Sequence, residues 1–108
     1  MALAEDWTRV ASAAELASGT MLPVMAHGRR LLIARTEDGE VRAADEMCTH
    51  EEASLCLGAL RGLKIKCPLH GSWFSLEDGA VQDEPATQDL QIHDAREIDE
   101  EIQVRLRD

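Results

Sequence analysis

The chain has 108 residues, room for one compact domain and not for two full-sized ones; 44% of them are apolar, yet Trp7, Trp73 and Phe74 are the only aromatics, so aliphatic side chains must fill the core. Lys plus Arg number 11 against 21 Asp plus Glu, and the net charge of -10 repels phosphate backbones and anionic lipid heads, which excludes nucleic acids and membrane surfaces as partners. No apolar run approaches the roughly 20 residues of a membrane span, Met1 to Asp6 holds neither a basic region nor an apolar signal core, and three cysteines are an odd, sparse set, so a cytoplasmic protein with metal-binding or idle thiols is expected.

In chain order, Trp7 to Val10 reads as a strand, and Ser12 with Glu15 stands at capping-box spacing ahead of Gly19, which predicts one or two helical turns over Ser12 to Leu16. A strand over Met21 to Met25 leads to a turn at His27-Gly28. Asp38-Gly39 then joins Arg30–Arg35 to Glu40–Ala44 as a tight hairpin. Leu63 to Cys67 is a further strand, and Asp78-Gly79 makes a second hairpin from Trp73–Leu76 and Ala80–Gln82. Leu90 to His93 and Ile102 to Leu106 complete the set, with the acidic run Asp94 to Glu101 between them read as a solvated turn. Nine short strands with almost no helix predict an all-β domain over residues 1–108, closed as a small antiparallel sandwich or barrel. Residues 45–82 differ in texture, holding all three Cys, two of four His, and Gly58, Gly62 and Gly71. They read as a site-bearing insert on a base sheet built from about 1–44 and 83–108.

The chemistry concentrates in that insert. Cys48-Thr49-His50 is followed, 16 residues later, by Cys67-Pro68-Leu69-His70. In a loop, residues two or three apart can turn both side chains to one point, and a thiolate with an imidazole suits iron or zinc. Two Cys and two His would make a tetrahedral zinc site, but zinc's usual arrangement puts both Cys in one clip and both His in the other. Here each clip is mixed. In a two-iron cluster each iron needs two protein ligands, and two loops of matching order can give one iron both Cys and the other both His.

On these residues the chain resembles the Rieske [2Fe–2S] family: Cys48-Thr49-His50 and Cys67-Pro68-Leu69-His70-Gly71-Ser72-Trp73-Phe74 are similar to its two cluster loops over their whole length. The resemblance implies that Cys48 and Cys67 bind a buried iron, that His50 and His70 bind the outer iron at the tip, and that residues 45–82 are a cluster-binding subdomain. Respiratory and photosynthetic relatives carry a disulfide between the loops; the matching places here are Ala53 and Leu69, so no brace is possible. Phe74 stands where those relatives commonly place a Tyr hydroxyl. Fewer hydrogen bonds to the sulfurs imply a potential near the low end of the Rieske window, about -150 mV. Ser72 matches a Ser whose hydroxyl bonds a cluster sulfur in the respiratory relatives, which pulls the other way. The oxidised site, with neutral His, carries no net charge; an added electron would raise the pKa of both histidines, so the potential should fall with pH in the alkaline range.

The chain offers no second metal site, no nucleophile and base, and no nucleotide-binding glycine loop, so a role as electron carrier rather than enzyme is expected. The resemblance implies the ferredoxin of a bacterial aromatic ring-hydroxylating dioxygenase system, taking electrons from an NAD(P)H-dependent flavin reductase; a carrier that must expose its tip to two partners is most simply a monomer. It would pass the electrons to a terminal Rieske non-haem iron oxygenase. A small Rieske subunit of a nitrite reductase or other redox complex, and a zinc-binding interaction module, are the alternatives. Cys56 reads as a core thiol, His27 and His93 as structural or surface residues. Glu51 and Glu52, with Asp45 and Glu46, are an acidic patch that could dock a basic partner. Of Trp73 and Phe74, which alternate faces, one belongs in the core.

Overall fold

The computed structural model describes residues 7–49, 52–69, 71–82 and 88–107. The strands are β1 (Thr8–Ser12), β2 (Thr20–Ala26), β3 (Arg29–Arg35), β4 (Val41–Asp45), β5 (Ala59–Arg61), β6 (Lys64–Lys66), β7 (Trp73–Ser75), β8 (Ile92–Ile98) and β9 (Glu101–Arg105). Six of them form one antiparallel sheet in the order β1-β9-β8-β4-β3-β2, and β5-β6-β7 form a second. The edge strands β1 and β2 approach each other, so the larger sheet is nearly closed. The all-β antiparallel architecture expected from strand spacing is the one observed.

Strand β3 explains how the two sheets are joined. Its run Leu31 to Ala34 is fully buried although strand side chains alternate faces, so both faces of β3 must be covered. Leu31 and Ile33, with Ala43 of β4, face a core shared with Ile102 and Val104 of β9. Leu32 and Ala34, with Ala44, face a second core that holds Ile65 and Phe74 of the small sheet, Leu55, Leu76 and the two cysteines Cys48 and Cys67. The register pairs Leu32 with Ala44 and Ile33 with Ala43, so the alternation is kept in step across both strands.

The turns follow their sequence signals. His27 and Gly28 both have positive φ, 51° and 77°, and close the β2–β3 hairpin in two residues, as a type I′ turn requires. Asp38-Gly39 closes β3–β4; the Asp38 carboxylate accepts from the Thr36 hydroxyl, the contact that chiefly holds its pKa below the usual range. The capping box forms, with Ser12 N–H donating to Glu15 at 2.9 Å and the Ser12 hydroxyl accepting from Ala14 N–H, but it starts a single 3-10 turn over Ala13–Glu15.

Three expectations need correction. Asp94 to Ile98 is strand rather than solvated turn; only Asp99 and Glu100, at φ 52° and 65°, make the bend. The run stays extended because its charges are matched across the sheet: Asp94 pairs with Arg105 and Arg107, and Glu97 with Arg35. The second hairpin forms, with Phe74 bridging Val81 and Gln82 N–H donating to Trp73 at 2.7 Å, but Ala80–Gln82 is a single bridge and not a strand. Strand β5 was not expected at all.

Candidate functional site

Both expected cysteine positions lie in the core between the sheets, Cys48 at 7% and Cys67 at 1% exposure, and neither is in a disulfide. Their loops are closed alike. Cys48 N–H donates to the Ala53 carbonyl at 2.9 Å, and Cys67 N–H donates to the Ser72 carbonyl at 2.8 Å, five residues on in each case. The second loop is tightened further by Gly71 N–H to the Cys67 carbonyl at 3.3 Å. His50 and His70, the other two expected ligands, and Glu51 of the acidic patch lie outside the described residues. Among the described residues alone, no three His, Cys, Asp or Glu side chains gather at one point.

The first loop is held at its base by a buried carboxylate. Glu46 is 4% exposed; its Oε1 accepts from Arg30 Nε at 2.9 Å and its Oε2 from the Ser54 hydroxyl at 2.6 Å. A buried charge needs such full pairing to be tolerated. The Thr49 hydroxyl, next to Cys48, donates to the Gln88 carbonyl at 2.8 Å and ties the loop to the segment before β8. Glu46 was read in the sequence as surface acidity; its burial depends on β3, a neighbour only in three dimensions.

The two loops also meet each other. A Cβ built on Gly58 would sit 1.7 Å from the Lys66 carbonyl oxygen and 3.3 Å from Pro68, so only glycine lets the chain after the first loop approach the strand that enters the second. Leu55 packs inward beside it, while Leu57 and Leu69 are 77% and 58% exposed.

The remaining candidates resolve as follows. Phe74 is fully buried and Trp73 lies on the outer face, as their alternation implies. Ser72 is buried at 1%. Cys56 is half-buried against the core, and desolvation pushes its thiol up to about 11, which makes it an inert thiol at neutral pH. His93 is buried and fully bonded: its Nδ1 accepts from Arg107 N–H at 3.0 Å, so Nε2 carries the proton it donates to Asp45 at 2.8 Å. His27 Nε2 contacts the Thr8 hydroxyl at 2.8 Å. Neither joins the cysteine loops.

Two buried thiols with matching backbone closures, in one apolar core, are a donor set suited to a soft cation, because a thiolate there needs a metal to offset its desolvation. Comparison with known proteins agrees. The family model described as "Rieske [2Fe-2S] domain" matches residues 6–94. The ferredoxin component of the naphthalene 1,2-dioxygenase system of Pseudomonas aeruginosa is 33% identical over 91 residues, 84% of this chain and 86% of that one. The ferredoxin of carbazole 1,9a-dioxygenase from Nocardioides aromaticivorans superposes with a TM-score of 0.86 at 29% identity, covering 94% of this chain and 98% of that one. A chain from a complex of reduced oxygenase and oxidised ferredoxin in carbazole 1,9a-dioxygenase gives 0.84 at 32% identity, covering 93% of both. No helix among the described residues is long and apolar enough to cross a membrane.

Proposed function

This chain belongs to the Rieske [2Fe–2S] domain family, and from that premise we propose that it is the one-electron carrier of an aromatic ring-hydroxylating dioxygenase system, not itself a catalyst. It receives electrons from a flavin-dependent NAD(P)H reductase and delivers them to a terminal oxygenase. The observation that carries this reading is the pair of buried, identically closed cysteine loops within a chain that matches dioxygenase ferredoxins over most of its length. Cys48 and Cys67 would hold the buried side of the cluster, and His50 and His70 the other. When bound, the cluster supplies a one-electron couple.

The protein's own residues do the rest. Backbone closure fixes each thiol, and Phe74, Leu55, Leu76 and Ile65 exclude water from the space between the sheets. The Glu46–Ser54–Arg30 network holds the first loop against β3, so gain or loss of an electron meets a framework that does not have to rearrange. None of the three cysteines is in a disulfide, which supports a reducing, cytoplasmic setting. A carrier serving two partners in turn is most simply a monomer.

The test is a reductive titration of the purified protein followed by electron paramagnetic resonance, with iron and acid-labile sulfide assayed on the same sample. A Rieske-type signal appearing near about -150 mV supports the proposal. A strongly positive potential would move the assignment toward respiratory types, and zinc without labile sulfide would overturn it. In the same assay Cys48→Ala, His50→Ala, Cys67→Ala and His70→Ala should each abolish the signal.

A further inference from the structure

Positive charge is distributed unevenly. Seven of the nine arginines pair with carboxylates, and an eighth, Arg96, lies over the Trp7 ring at 4.2 Å and donates to the Gln103 side chain. The ninth, Arg61, and the chain's two lysines, Lys64 and Lys66, have no carboxylate partner among the described residues. All three lie on one face of the small sheet. The register sets Arg61 opposite Lys64 and Lys66 opposite Trp73, and strand alternation sends these side chains away from Leu60, Ile65 and Phe74. The Arg61 guanidinium and the Lys66 ammonium lie 5.9 and 5.7 Å from the Trp73 ring centre, and a cleft of about 220 Å³ lined by Arg61, Lys64, Trp73 and Gln82 opens there.

Like charges facing each other across a sheet are destabilising, and a chain of net charge -10 has carboxylates in excess with which to relieve them. Among the described residues no carboxylate relieves this face, which has only the Trp73 ring against its charges. An external acidic surface would neutralise it, with Trp73 as the aromatic centre typical of interfaces. Location narrows the partner. Lys66 precedes Cys67 and Trp73 follows Ser72, so whatever sits here lies against the second cysteine loop, which carries exposed Leu69 and is bordered by the chain at exposed Leu57.

We propose that the outer face of β5-β6-β7, centred on Arg61, Lys64, Lys66 and Trp73, docks an acidic patch on a redox partner protein. The inference rests on the electron-carrier reading and deepens it: the encounter is steered by local positive charge against the sign of the whole molecule.

The test uses the full-length holoprotein, reduced with dithionite and reoxidised by ferricyanide in a stopped-flow instrument. Octa-aspartate, octa-lysine or inorganic phosphate is added at equal ionic strength. Octa-aspartate should slow reoxidation several-fold while octa-lysine does not. Lys64→Glu should slow the uncompeted reaction and abolish the octa-aspartate effect, Lys64→Arg should restore both, and Arg9→Glu, the same charge change on β1, should alter neither. Equal competition by phosphate would make the face a small-anion site and overturn protein docking, as would identical behaviour of Lys64→Glu and Arg9→Glu. Unaltered paramagnetic spectra in the variants separate loss of docking from loss of the cluster. A wild-type protein that accepts no electron would refute the carrier reading, and this inference with it.

Discussion

Replacing Gly58 by alanine tests whether the two cysteine loops are held by direct contact. The added Cβ would sit 1.7 Å from the Lys66 carbonyl oxygen, whereas unstrained carbon contacts need about 3.5 Å. Relief therefore requires a shift of nearly two ångströms in backbone one residue from Cys67, or the same shift in the chain leaving the first loop. Overpacking of this kind costs about 1–3 kcal/mol, and backbone rather than a flexible side chain is the obstacle, which puts Gly58→Ala at the upper end. In a domain of this size about 3 kcal/mol lowers the thermal midpoint by roughly 12–20 °C. Gly62→Ala is the matched control: its φ is +59° but a Cβ there meets nothing within 4 Å, so only the left-handed backbone penalty of about 1–2 kcal/mol applies. The assay is loss of the visible cluster absorbance on heating at fixed scan rate, with iron counted before and after. If Gly58→Ala retains iron and melts no lower than Gly62→Ala, the loops are not coupled through this contact and the reasoning fails.

Ser54→Ala leaves Glu46 Oε2 buried without its donor and should cost about 1–3 kcal/mol in urea unfolding, with Ser54→Thr recovering most of it; no loss would mean that water replaces the hydroxyl. Asp94 is pushed up by burial but held below the ordinary carboxylate range by the hydrogen bonds and charges of Arg105 and Arg107. Its stabilisation is therefore present above the unfolded value near pH 4 and lost as pH falls through the lower folded value. Asp94→Asn should destabilise the protein at pH 7 and flatten its acid limb, as pH-dependent thermal melts will reveal. Ser72→Ala should lower the midpoint potential measured by spectroelectrochemistry; an unchanged potential would remove Ser72 from the cluster's surroundings.

Much of the fold was legible because its signals are local. Asp38-Gly39 and His27-Gly28 mark two-residue and short turns through backbone conformation alone, and the capping box at Ser12 and Glu15 needs no tertiary partner. The two short cysteine loops stand out by spacing alone, and both thiols lie in one core. What escaped depends on contacts distant in sequence. Asp94, Arg96 and Glu97 looked like a solvated turn, and only the register with Arg105 and Gln103 makes them a strand. Ala59–Arg61 is too short to show a period and is flanked by Gly58 and Gly62, which read as loop. The basic face was invisible for the same reason: Arg61, Lys64 and Lys66 become neighbours across β5 and β6 only once the hairpin closes.

Because β3 contributes side chains to both cores, the sheet and the cysteine loops should open and close together rather than as separate cooperative units. Deuterium uptake would then report on the cluster from a distance. Amides of Leu31 to Ala34 should be the slowest in the molecule to exchange while the cluster is in place. Their clock should quicken when it is lost, although none of those residues belongs to the cysteine loops.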